Sequence, residues 1–283
     1  VVVGSLRQPF QRSEFCTLST VSKRFYDTEF AGVEYARQVG PEEHPFFPVL
    51  TRFIRQLGLA GTRCLEIGCG RGCLQDVVAD YTGFDLSDSV RAYLHKPFVQ
   101  GNADRLPFPD RSFDTIWSYA ALEHIPQPEL ALSEMRRVLR NGGVLLLSPA
   151  WQCRPWAASG LAVRPYHGLT LRMKVAKALI PVRESVLLRA LSVLPQRPWR
   201  WLGYLAVRRP TSFRYRTLTP NYERYLCADS DAVSQMDPHE AILWFTSRGD
   251  ECLSHPGTLR RLFVRTGCLA FRIREGGAAS VSS

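Results

Sequence analysis

Nine residues, Cys64-Leu-Glu-Ile-Gly-Cys-Gly-Arg-Gly72, restrict the fold of this chain more than any other stretch. Cys64 to Ile67 read as a short buried strand that stops at glycines spaced by single residues, Gly68, Gly70 and Gly72. Without a Cβ, these residues permit a tight turn and let a ligand lie against bare backbone. The pattern predicts a helix over 73–79, whose N-terminal amides would face the same ligand. Glu66 stands just before the turn. Asp85 closes the next apolar run, Tyr81-Thr-Gly-Phe-Asp85, at the distance where α/β nucleotide folds place a ribose-binding carboxylate. A nucleoside-containing cofactor is what these residues imply together.

The dinucleotide fingerprint is G-x-G-x-x-G, whereas this chain carries G-x-G-x-G preceded by an acid. That pattern resembles motif I of the class I S-adenosylmethionine-dependent methyltransferases, and the resemblance continues downstream. Gly101-Asn-Ala-Asp-Arg-Leu-Pro-Phe-Pro-Asp-Arg-Ser-Phe-Asp114 is similar to the family's segment around strands 3 and 4, with Asn102 in place of the usual acid. Thr115-Ile-Trp-Ser-Tyr-Ala-Ala-Leu-Glu-His-Ile125 looks like strand 4 and its loop. Arg137-Val-Leu-Arg-Asn-Gly-Gly-Val-Leu-Leu-Leu-Ser148 looks like the helix end, glycine turn and strand 5. The likeness covers residues 45 to 150. A Rossmann-like fold that binds NAD, or has lost its cofactor, would not be expected to carry these motifs in this order.

The resemblance implies an α/β fold with a doubly wound, seven-stranded, mostly parallel sheet, and S-adenosyl-L-methionine as cofactor. It implies that Glu66 holds the methionine ammonium by a charge-assisted hydrogen bond. Gly68, Cys69 and Gly70 would approach the cofactor with their backbone. Asp85 would accept from both ribose hydroxyls, with Leu86 beside it. Asp104 would accept from the adenine amino group, with Ala103 and Leu106 along the ring, and Ser118 and Tyr119 would border the reacting methyl. A surface acid at a strand end is the alternative for Glu66 and Asp85, and the flanking apolar runs argue against it.

At 283 residues the chain can bury a full core. No apolar run reaches the ~18–20 residues needed to span a bilayer. The first residues, Val1-Val-Val-Gly-Ser-Leu-Arg, do not read as a signal peptide; they lack an initiator Met, which fits a fragment or an alternative start codon. The eight cysteines form no C-x-x-C pair, so thiols in a reducing cytosol are expected and no metal site. A cytoplasmic protein, at most peripheral at the inner membrane face, is the expectation.

Residues 1–45 read as an irregular leader or lid with short helices, and 46–150 as the cofactor-binding core. Phe46 to Leu59 carries an apolar stripe at helical spacing (Phe46, Leu50, Phe53, Ile54, Leu57). Strands are expected at 81–85, 98–102, 115–118 and 144–147, and a helix at 88–95. Another helix opens on Pro128 and ends at Asn141-Gly-Gly143. Residues 237–275 close the sheet: Asp237 caps a helix over 238–248, then come strands at 251–254 and 268–274. Residues 276–283 read as a disordered tail.

Residues 151–236 form a helical insert after strand 5. The chain's net charge of +10 resides there: residues 151–216 hold 13 Arg and Lys against Glu184 alone, giving +12 and leaving −2 for the rest. Three readings compete for this basic, Trp-rich segment. It is a lid packed over the acceptor with snorkelling arginines, an interfacial element touching the membrane, or an RNA-binding patch. Its aliphatic content argues against nucleic acid.

An oxygen acceptor needs a base within ~3 Å. His124 is the first candidate, since histidine titrates near neutrality; Glu123, Tyr166, His167, Asp229 and Asp231 are others. Asp229-Ser-Asp231 also has the D-x-D form of metal-dependent glycosyltransferases, but reads here as a cap or turn. The segment 222–249 resembles C-terminal parts of methyltransferases from bacterial surface-polysaccharide gene clusters. Together these imply methyl transfer to a small or lipid-linked acceptor, foremost a sugar hydroxyl. The alternatives are an RNA methyltransferase and a non-catalytic binding module.

Overall fold

The computed structural model describes residues 12–29, 39–223, 225–265 and 267–274. Its centre is a seven-stranded sheet. In chain order the strands are β1 (Cys64–Ile67), β2 (Tyr81–Asp85), β3 (Phe98–Gln100), β4 (Phe113–Tyr119) and β5 (Leu139–Ser148). A side hairpin follows, β6 (Tyr215–Thr217) with β7 (Ser234–Met236), then β8 (Glu251–Cys252) and β9 (Leu269–Arg272). The sheet order is β3-β2-β1-β4-β5-β9-β8; the first five strands run parallel, and β9 is antiparallel to both its neighbours. This is the doubly wound sheet expected. After β1 the chain lays β2 and β3 on one side, then crosses to lay β4 and β5 on the other. Ligands bind such sheets outside the strand carboxyl ends, at that point of reversal.

The helices are α1 (Arg12–Glu29), α2 (Phe47–Leu57), α3 (Pro128–Val138), α4 (Pro155–Ala158), α5 (Leu171–Ala178), α6 (Ile180–Glu184), α7 (Val186–Val193), α8 (Gln196–Val207), α9 (Pro238–Thr246) and α10 (Thr258–Leu262). Alternation along the buried strands sends side chains to two cores. Leu65, Ile67, Ile116, Leu145 and Leu147 pack with Leu132 and Met135 of α3 and Ile242 and Phe245 of α9. Cys64, Tyr81, Trp117, Val144 and Leu146 pack with Leu50 and Ile54 of α2. Because both faces are covered, β1 is apolar except for Glu66, an acid buried within it. Gly58, at φ +67, ends α2 in the left-handed conformation.

Several expectations are corrected. No helix forms over 73–79; Gly72 is left-handed at φ +68 and the segment runs as turns. The Gln75 side chain fixes it instead, donating to Tyr93 O and accepting from His95 N. The helix expected at 88–95 is a 3₁₀ segment, Asp88–Tyr93, capped by Ser87. Part of the leader is the 18-residue helix α1 rather than short pieces. Asn141-Gly-Gly143 lies inside β5, where the pairing with β4 shifts register. The insert is not wholly helical, since β6 and β7 pair within it. Asp237 does cap α9, accepting from His239 N. The proposed tail at 276–283 lies outside the described residues.

Candidate functional site

A cavity of about 700 Å³ opens at the carboxyl ends of β1, β2 and β4. Its floor is the glycine loop. Gly68 sits at φ +75, and a Cβ there would lie 2.3 Å from Ala121 Cβ, so only glycine fits. The Gly68 and Cys69 amides donate to Phe84 O, and the Gly70 amide donates to Asp85 Oδ2. Ser87 N donates to Asp85 Oδ1 at 3.0 Å. One carboxylate therefore ties the loop to the end of β2 while bordering the cavity. Burial raises the Asp85 pKa, against the backbone donors that lower it.

Glu66 also borders the cavity and is 4% exposed. Burial lifts its pKa to about 8, although Tyr81 Oη donates to it at 2.5 Å. A protonated acid in a pocket is what a cationic group would ionise. Cys69 and Leu86 line the space, as do Gly101, Asn102 and Ala103 after β3. Tyr119 lines it too, its ring stacked on Phe46 and edge-on to His44.

Three expected residues lie elsewhere. Leu106 is in the core, its amide donating to Glu134 Oε2. Half-buried Asp104 does not border the cavity. Ser118 is buried beneath the wall, and its hydroxyl has no hydrogen-bond partner.

Above the floor stands a cluster of acids around His124, which ends the 3₁₀ turn Leu122–His124. β7 packs on this turn: Val233 N donates to Glu123 O and Ser234 Oγ to Ile125 O. The segment before β7 is thereby held over the cavity. Asp231 Oδ2 comes within 3.3 Å of His124 Nδ1, out of line for a hydrogen bond, and Tyr26 of α1 donates to the same oxygen at 2.9 Å. Glu123 Oε1 accepts from Ala150 N and lies 3.9 Å from His124 Nε2; its other oxygen has no hydrogen-bond partner. Burial disfavours charge on His124, but Asp231 and Glu123 outweigh it and the ring titrates above its ordinary value. Two cavity residues, Ala120 (φ 46) and Asp229 (φ 62), hold left-handed backbones without being glycine, a strain that concentrates at functional sites.

Ser22, Tyr26 and His44 line this cavity and were not among the expected site residues. The leader carries no motif; only tertiary packing brings α1 there. Tyr166 and His167 stand exposed on a separate 3₁₀ turn. From the insert, the cavity is bordered by Tyr225, Ala228, Asp229 and Asp231, and by no residue of α4 to α8. Among the described residues no group of His, Cys, Asp and Glu could hold a metal.

A family profile described as a methyltransferase domain matches residues 65–147. The fatty-acid O-methyltransferase of Mycolicibacterium smegmatis is 37% identical over 133 residues, 41% of this chain and 48% of that protein. The phthiotriol/phenolphthiotriol dimycocerosates methyltransferase of Mycobacterium tuberculosis is 33% identical over 144 residues, 45% of this chain and 53% of that one. The chain thus spans about half the length of the curated relatives it matches. Among solved structures, the N-methyltransferase NodS of Bradyrhizobium japonicum, in complex with S-adenosyl-L-homocysteine, is 19% identical. It covers 46% of this chain and 74% of its own, with a TM-score of 0.38.

Proposed function

We propose, from the class I methyltransferase domain that this chain carries, that it transfers a methyl group from S-adenosylmethionine to a hydroxyl of a small or lipid-linked acceptor. The observation that carries the reading is the wall shared by two chemistries. Glu66, Asp85 and the glycine loop border the same cavity as the His124–Asp231 pair.

The residues present fit the cofactor. The Gly68 cradle leaves backbone open where any side chain would collide, Glu66 offers a buried acid to an ammonium, and Asp85 offers carboxylate oxygens to a ribose. When bound, the cofactor supplies an electrophilic methyl on a sulfonium, so the protein need only position the acceptor, exclude water and accept a proton. His124 is the group for the last task. Asp231 and Glu123 stabilise its charged form and Tyr26 steadies Asp231 from α1. Tyr26, Tyr225 and Asp229 border the same cavity.

Relatives whose names specify a fatty acid and a phthiotriol support an acceptor carried on lipid. A sugar hydroxyl on a polysaccharide precursor is the specific acceptor we infer from the segment 222–249. Incubating the protein with methyl-labelled cofactor and lipid, glycan and RNA pools tests this. Label in a lipid or glycan pool, lost in His124→Gln, is the expected result. Label confined to RNA would overturn the acceptor class, and no turnover with any pool would leave a binding module.

A further inference from the structure

The insert helices that do not reach the cavity have a surface of their own. α8 is fastened to the core by one face. Arg197 is buried and pairs with Asp237 at 2.9 Å while donating to Leu262 O and Val264 O; Arg200, one turn on, pairs with Glu240 at 2.7 Å. Among the described residues nothing covers the opposite face: Trp199 is 75% exposed, and Leu202 and Leu205 follow at helical spacing. On α5, Leu171 and Val175 stand out at i and i+4, with Leu171 78% exposed; on α7, Val186 is 79% exposed. Large exposed apolar patches mark interaction sites.

The charge on these helices is positive but for Glu184. Arg172, Lys174, Arg183, Arg208 and Arg209 are exposed, and among the described residues none of them pairs with an acid. The single acid of residues 151–216, Glu184, accepts from Trp156 Nε1. No described helix is long and apolar enough to cross a membrane. Short helices with exposed aliphatics, an exposed tryptophan and unopposed bases match the chemistry of an anionic bilayer surface. The apolar groups enter the headgroup boundary and the cations meet lipid phosphates.

We infer that the outer face of α5 to α8 docks this protein on anionic lipid membranes. The inference stands on the exposed surface alone and not on the identity of the acceptor. The test is flotation of the full chain with vesicles of phosphatidylcholine, with and without about 30% phosphatidylglycerol. Binding only to the anionic vesicles, weakened by salt, is expected. Arg172→Gln, Lys174→Gln and Arg183→Gln combined should weaken it about a hundredfold, and Trp199→Ser with Leu202→Ser at least about tenfold. Unchanged melting and cofactor binding would show that both variants fold. Equal binding to neutral vesicles, displacement by millimolar glycerol phosphate, tighter binding to RNA, or self-association abolished by the same variants would each overturn it.

Discussion

The cavity floor and the outer face of the insert handle charge in opposite ways. At the floor, acids are buried: Glu66 and Asp85 are each under a tenth exposed, and burial raises both pKa values. On the outer face of the insert, Arg172, Lys174, Arg183, Arg208 and Arg209 stand in water, and among the described residues none forms an ion pair. A buried acid is costly unless a cation or donors meet it, so the floor is organised for one ligand of defined shape. An exposed basic, apolar face costs little in solution and discriminates by charge and area rather than by shape. One chain therefore presents a specific site and a broad one, joined through α9, whose first turn holds Arg197 and Arg200.

The sharpest way to break the floor without touching the insert is Gly68→Ala. The added Cβ meets Ala121 Cβ at 2.3 Å on a backbone at φ +75. Strain of this kind costs about 1–3 kcal/mol, so the variant should melt several degrees lower and lose cofactor binding. Vesicle binding by whatever fraction stays folded should persist.

His124→Gln separates chemistry from binding. General base catalysis contributes about 10²–10⁴-fold, and kcat should fall by that order with cofactor affinity unchanged. Equal loss in affinity would make His124 a structural residue.

Asp231→Asn removes an acid that holds the His124 pKa up. Activity requires the neutral ring, so it rises as pH climbs through that pKa. The variant's rise should move to lower pH, and an unmoved profile would release His124 from the role of base.

Glu66 makes the smallest and most particular signal. It keeps its proton in the free protein to about pH 8, against 4.5 ordinarily. The unfolded chain binds fewer protons in that window, so the free protein loses stability as pH rises from about 4.5 to about 8. A bound ammonium favours the carboxylate, so cofactor binding at pH 7 should release a proton and strengthen as pH rises. Calorimetry in buffers of different ionisation enthalpy reads this directly, and Glu66→Gln should abolish it.

Much of this was legible before the structure. β1 and β2 begin and end where the apolar runs do, because strands buried on both faces leave no room for polar neighbours. Asp237 marks the start of α9 through cap chemistry that is local, while the helix ends at Thr246, two residues short of the 248 expected. The helix expected over 73–79 does not form because turns bury its apolar residues Leu74 and Val78, and the Gln75 side chain ties those turns to Tyr93 and His95 outside the segment. Among the residues that line the cavity, those in motif I follow from the glycine spacing together with the family resemblance. Tyr26 and His44 do not, since packing across more than a hundred residues brings Tyr26 to Asp231. Leu106, expected along the adenine ring, lies in the core, where the loop after β3 holds it by its amide's hydrogen bond to Glu134. The insert's charge was plain from composition, but its separation from the cavity follows from the Arg197 and Arg200 anchors.

Titration of S-adenosylmethionine into the protein and into Asp85→Ala, followed by calorimetry, tests the central claim most directly. Two charge-assisted hydrogen bonds at about 1.5–3 kcal/mol each, together with release of the Gly70 amide, predict one site whose affinity falls at least about a hundredfold in the variant. Unchanged affinity, or no binding to the unaltered protein, would contradict the account.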